Sequence, residues 1–133
     1  MIQYAFNSWL NGYKKMFCYS GRERRSAFGC FLIIQFILFI ILGMICTRIF
    51  PQIPGFNDTT SDTIAVIYCL ISFMTILPYN IRRLHDAGLS GWLCLFYLGF
   101  AAIVIIVSIF LPPTTGDNQY GPSPKKTKNL IVI

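Results

Sequence analysis

The chain is short of charge. Only 12% of its 133 residues are Asp, Glu, Lys or Arg, against about 25% in ordinary soluble domains, too few to cover a water-facing surface. Acids are the scarcest: Glu23, Asp58, Asp62, Asp86 and Asp117 are all there are. Metal-dependent phosphotransfer needs several carboxylates at one point, and this supply does not provide them. There is one histidine, His85. The five cysteines (Cys18, Cys30, Cys46, Cys69 and Cys94) form no C-x-x-C pair. Their odd number and scattered spacing exclude a disulfide framework and a zinc site, and no cofactor is implied. The first 17 residues are interrupted by Asn7, Asn11, Lys14 and Lys15, so they lack the apolar core of a cleavable signal. The first apolar run is therefore expected to stay as an anchor. No internal repeat is visible.

What the chain has is apolar sequence in blocks, 55% of all residues, enough for one domain. Ser26 to Thr47 carries no formal charge over 22 residues, about 33 Å of helix at 1.5 Å each, and a hydrocarbon core is ~30 Å thick. Thr63 to Ile81 is uncharged over 19 residues, and Gly91 to Leu111 runs to Pro112-Pro113. The expectation is an all-α integral membrane protein with three transmembrane helices and an N-terminal interfacial amphipathic helix. Residues 1–20 form the interfacial segment, 21–113 a three-span membrane domain (spans about 26–48, 63–82 and 91–111), and 114–133 a polar basic tail.

Local signals sharpen the boundaries. Ile2, Phe6, Trp9, Leu10, Tyr13 and Phe17 recur at helical spacing, an apolar stripe suited to the headgroup zone, which Gly12 weakens. Ser20-Gly21-Arg22-Glu23 reads as a capping box opening the first span. Asp62 or a neighbour caps the second, Pro78 is expected to kink it, and Gly88 is placed to end it in the left-handed conformation. Ser90 suits the N-cap of the third span and Trp92 an interface anchor, while Gly99 interrupts that run.

The net charge of +6 is localised. Lys14, Lys15, Arg22, Arg24 and Arg25 precede the first span, and Arg82 and Arg83 follow the second. Basic clusters at the ends of apolar runs point to a membrane surface with anionic lipid headgroups. Nucleic acid is not the expected partner, since no polar domain displays these charges. With the N-terminus in the cytoplasm these seven lie inside, and Arg48, Lys125, Lys126 and Lys128 outside, the arrangement that the positive-inside rule favours. The three tail lysines conflict with it. A re-entrant third segment turning near Gly99 would bring them inside, but residues 91–111 are too few for two full spans, so three spans are expected.

The stretch RRLHDAGLSGW, residues 82–92, is a polar connection between two spans, on the side of the arginines before the first. Asp86 can pair with Arg82 at i,i+4, or across spans with Arg22 or Arg25. Adjacent His85 and Asp86 point about 100° apart on a helix and make no ready dyad; Ser90 has no nucleophile-elbow context. Gly116-Asp117-Asn118 opens like a calcium loop whose ligand series is not continued, so a proline-locked turn is expected.

Three patterns together carry a resemblance: Tyr13-x-x-x-Phe17 leading to Gly21-Arg22-x-x-Arg25-x-x-Phe28, then Arg82-Arg83-Leu84-His85-Asp86-x-Gly88-x-Ser90-Gly91-Trp92, then Gly116-x-Asn118-x-Tyr120-Gly121-Pro122-x-Pro124. The chain resembles the bacterial inner-membrane proteins grouped as domain of unknown function 805, the YhaH-like proteins, over nearly everything after residue 12. Gly29, Leu93 and Ser123 depart from the usual pattern. The resemblance implies a multi-pass protein of the bacterial inner membrane and no activity. The functional expectation is a non-enzymatic protein with no catalytic residue or metal. Arg22, Arg25, Arg82, Arg83 and His85 would bind anionic lipid phosphates or an acidic partner. Asp86, Gly88, Ser90, Gly91 and Trp92 would build the corner, and Gly43 with Thr47 allows self-association into a homo-oligomer. Two rivals are a small oligomeric transporter or channel working through Gln35 or Asn80, and a lipid-modifying enzyme using His85.

Overall fold

The computed structural model describes residues 2–124, with only the backbone described at Leu95, Tyr97 and Leu98. Four α-helices follow in order: α1 (Ile2–Lys14), α2 (Arg25–Met44), α3 (Asp58–Asp86) and α4 (Tyr97–Phe110). A π-helical turn (Ile45–Ile49) extends α2, and a 3-10 segment (Gly91–Phe96) precedes α4. The described residues contain no strand, only an isolated bridge between Asn118 and Gly121. Lys125, Lys126 and Lys128 lie outside the described residues.

Two helices are long and apolar enough to cross a membrane, Arg25–Gln52 with its π turn and Asp58–Asp86. Their packing is inverted relative to a soluble core. Ile33, Phe36, Ile37 and Phe39 of α2 and Val66, Ile67, Leu70 and Met74 of α3 are exposed, while Gln35, Ser72, Thr75 and Asn80 are buried. Apolar outside and hydrogen-bonded polar inside suits a hydrocarbon solvent, where an unpaired polar group facing out costs several kcal/mol. Gln35 is the joint. Trp9 Nε1 and Tyr13 Oη donate to its Oε1 at 3.2 and 3.0 Å, and its Nε2 donates to Tyr68 Oη at 2.9 Å and Ser72 Oγ at 2.6 Å. One amide thus ties α1, α2 and α3 together.

The helix starts differ from the sequence expectation. Residues 20–23 form no capping box: α2 starts at Arg25, its N-cap Arg24 makes no side-chain cap, and Gly21 turns the chain at φ 89°. The Glu23 amide instead donates to the Arg82 carbonyl at 3.1 Å, and its carboxylate faces Lys15 and Arg82. A carboxylate near two cations has better partners than a single amide. Nor does Asp62 cap α3. Asn57 does, its Oδ1 accepting from the Thr60 amide at 2.9 Å. Helix α3 runs on through Pro78 as one element and ends as expected. Gly88 at φ 78° carries a Schellman closure, with Gly88 and Leu89 amides donating to His85 and Leu84 carbonyls at 3.1 and 3.0 Å.

Helix α1 packs on α2 and on the C-terminal part of α3. Tyr4 Oη meets Ser26 Oγ at 3.0 Å near its start, and the Lys15 carbonyl accepts from Arg82 just past its end. Its buried residues are Ser8 and Gly12. A Cβ on Gly12 would sit 2.6 Å from the Phe31 ring, so this glycine, weakening to the isolated helix, permits its docking. Phe28, Phe31 and Tyr79 form the aromatic core beneath, with Tyr79 centroids 4.8 Å from Phe31 and 5.5 Å from Phe28. Of the expected stripe, Trp9 and Tyr13 pack on this core, while Ile2, Phe6 and Phe17 stay exposed.

The third apolar segment, expected as a span over 91–111, begins and ends at the same end of α3. It begins at Gly91, close to Ile81 and His85, and Cys94 reaches Asn80. Ala101 lines a cavity with Gln35 and Ser72, and Ile105 packs on Leu84 and Phe31 clusters. Leu111 then returns to the starting level, where its carbonyl accepts from Arg83. Both ends therefore sit at the C-terminal end of α3. The turn comes near Phe100, whose φ −136° and ψ 37° break the helix.

Candidate functional site

The polar residues meet where the α3 C-terminus, the entry to α2 and the residues after α4 converge. Asp86 is 2% exposed and is shared by two guanidinium groups. Arg22 Nε donates to its Oδ1 at 3.0 Å with Nη2 at 2.9 Å, and Arg83 Nη1 lies 3.4 Å from Oδ2. Of the pairings open to Asp86, the cross-span one with Arg22 forms. Arg82 turns the other way. It donates to the Lys15 carbonyl at 2.9 Å and to that of Cys18, lies 3.7 Å from Glu23, and places its guanidinium carbon 5.0 Å from the Tyr79 ring centroid.

The remaining donors hold the segment after α4. Arg22 donates to the Gly116 carbonyl at 2.7 Å and the Thr114 carbonyl at 3.1 Å, Arg24 Nε to the Pro124 carbonyl at 3.0 Å, and Arg83 to Leu111. The Thr114 amide donates to the Asp86 carbonyl at 2.8 Å, and Asn118 Nδ2 to the His85 carbonyl at 2.9 Å. Tyr120 lies flat on His85, centroids 3.9 Å apart and planes 3° from parallel. The Gly116–Pro122 turn docks on the Arg82–Asp86 corner. Sequence reasoning found the turn but not its seat. The signal was there, in that both motifs belong to one pattern with the Gly21-Arg22 element.

The expected site residues divide accordingly. Arg22, Arg82 and Arg83 are buried and directed at carboxylates and carbonyls of their own chain. Arg25 is exposed. It borders a cavity of about 410 Å³ with Arg24, Ser26, Thr114, Thr115 and Ser123. His85, half-buried, opens instead on a separate apolar groove of about 660 Å³. Its Nδ1 lies 3.3 Å from the Gly21 carbonyl, and desolvation pushes its pKa below the usual value, partly offset by that hydrogen bond. Gly91 touches His85 and Ile81, Ser90 Oγ accepts from the Trp92 amide at 3.3 Å, and the Trp92 ring is 76% exposed. Desolvation likewise lowers the Arg83 guanidinium, opposed by Asp86. Among the described residues no three His, Cys, Asp or Glu side chains gather to hold a metal.

Two membrane-length helices, polar within and apolar without, closed at one end by a buried guanidinium–carboxylate corner, define a small helical membrane protein. The chain belongs to the family described as protein of unknown function DUF805, which matches residues 16–122 and so takes in the whole corner and its docked turn. It is 32% identical over 123 residues to the inner membrane protein YhaI of Escherichia coli K12, covering 91% of this chain and 98% of that one. It is 29% identical over 109 residues to the inner membrane protein YhaH of the same strain, covering 80% and 87%. No solved structure matches.

Proposed function

We propose that the chain is a non-enzymatic inner-membrane protein that crosses twice, with α2 and α3. In this reading residues 91–111 form a re-entrant hairpin, and the arginine corner faces the cytoplasm, where it binds anionic lipid phosphate. The observation that carries this reading is the return of Leu111 to Arg83. With the hairpin closed, Lys14, Lys15, Arg22, Arg24, Arg25, Arg82 and Arg83 share one side, and Arg48 alone is opposite. The described chain leaves at Pro124, on the arginine end, so the tail lysines join the majority. The conflict of a three-span topology with the positive-inside rule is removed. Helix α1, packed at that end with Lys14 and Lys15 at its C-terminus, lies in the headgroup zone.

Arg25 is the cation left to meet a phosphate. Arg22 and Arg83 act through position, holding Asp86, Thr114 and Gly116 in the wall of the cavity that Arg25 borders, while Arg82 fixes the chain before α2. Arginine's planar fork suits a phosphate, the surrounding threonine and serine hydroxyls add donors, and Asp86 in that wall is neutralised by two guanidinium groups. Lipid co-purification tests this. Arg25→Ala should lower bound phosphatidylglycerol several-fold and Arg48→Ala leave it unchanged; equal lipid content in both would refute it.

A further inference from the structure

The groove beneath His85 is separate from the Arg25 cavity and different in chemistry. None of its lining residues carries Asp, Glu, Lys or Arg. Its polar groups are gathered at one end, from Tyr19, His85, Ser90 and Tyr120, and Leu77 and Phe73 line the rest. From His85 to Phe73 is twelve residues of α3, about 18 Å of helix, and the groove's volume of about 660 Å³ falls within the roughly 300–1,000 Å³ of ligand pockets. The far side is built by the descending limb of the hairpin, from Gly91 to Cys94.

His85 sets the chemistry of the polar end. Its ring is fixed on one face by Tyr120, and Nδ1 points at the Gly21 carbonyl. A carbonyl only accepts, so the neutral ring carries its proton on Nδ1 and Nε2 is left as an acceptor. Nε2 faces Gly91, where a Cβ would come within 3.1 Å; the missing side chain keeps that nitrogen clear. An acceptor in a groove lined also by two tyrosines and a serine, with no cation among the lining residues, suits a hydroxyl and gives a phosphate no opposite charge.

We propose that this groove binds a lipid with an uncharged, hydroxyl-bearing head, its hydroxyl donating to His85 Nε2 and one acyl chain lying along Leu77 and Phe73. This rests on the membrane reading above, which puts the groove's apolar length in the hydrocarbon and its polar end at the interface. The test is native mass spectrometry of the full chain released from detergent, titrated with dioleoylglycerol and with dioleoylphosphatidylglycerol. Wild type should retain dioleoylglycerol. His85→Phe, which keeps a ring against Tyr120 but removes the acceptor, should weaken that retention roughly tenfold, the scale of one hydrogen bond. Leu77→Phe, which fills the groove, should weaken it with His85 intact. Phosphatidylglycerol retention should stay unchanged in both variants and fall only in Arg25→Ala. Dioleoylglycerol retention equal in wild type and Leu77→Phe overturns the proposal, even if His85→Phe proves unstable. Loss of the Arg25 effect alone would fault the phosphate reading and leave this one standing.

Discussion

Asp86 is the residue on which the corner turns. Two buried guanidinium groups share its carboxylate, and its carbonyl receives Thr114. Removing one partner of a buried charge set leaves the others uncompensated, at a cost of about 3–5 kcal/mol. Asp86→Asn should therefore lower the thermal unfolding midpoint in detergent far more than Asp62→Asn, which is exposed; equal effects would show that the corner contributes no stability. His85 adds a pH dependence. Its folded pKa lies below the ordinary ~6.5. As pH falls, the unfolded chain binds that proton first, so stability rises with pH across this window. The melting midpoint should be flat above about pH 6.5 and drop below it, and His85→Phe should remove that part of the slope. How much of this the sequence disclosed depended on the partner. Arg22 with Asp86 was among the pairings that charge and placement allowed. The partners of Arg82 were not legible: it bonds to the Lys15 and Cys18 carbonyls, and every residue offers a carbonyl, so no side-chain pattern marks the ones that are used.

At the scale of elements, glycines separate packing from propensity. In an isolated helix Gly→Ala gains about 1 kcal/mol. At Gly12 the new Cβ would fall 2.6 Å from the Phe31 ring, which is fully buried and held against Tyr79. Overpacking of this kind costs about 1–3 kcal/mol. Gly12→Ala should destabilise or release α1, read as loss of the Trp9–Gln35 contact by a red-shifted tryptophan emission. Gly99→Ala, with nothing within 4 Å, should change the melting midpoint little. Periodicity found α1 and part of its docking face, Trp9 and Tyr13, but because it scores apolar side chains it passed over Ser8 and Gly12, which are buried beside them. The start of α2 was misread for a related reason. Ser20 and Glu23 have the spacing of a capping box, yet Lys15 and Arg82, distant in sequence, hold the Glu23 carboxylate. The Gly88 stop was legible because a positive φ after a helix leaves a local sequence mark.

For the whole molecule, membrane residence was legible and the path of the chain was not. Block apolarity and scarce charge state the solvent. Twenty-one apolar residues, however, serve equally as one span of about 32 Å or as a hairpin of two half-depth limbs. What favours the hairpin reading, the Arg83–Leu111 and Arg22–Gly116 contacts, is made between residues far apart in sequence. Composition carries one trace of the proposed hairpin, Gly99 beside the break at Phe100. The family match, which ends at Pro122, includes the docked turn that draws the chain back.

The most direct measurement is a pair of alkaline phosphatase fusions in a bacterial host, one after Gln52 and one at the C-terminus, each matched by a fluorescent-protein fusion at the same site. A hairpin returning to the arginine end predicts phosphatase activity after Gln52 and none at the C-terminus, where the fluorescent fusion glows. An active phosphatase at the C-terminus would mean that residues 91–111 cross the bilayer, and would contradict the account.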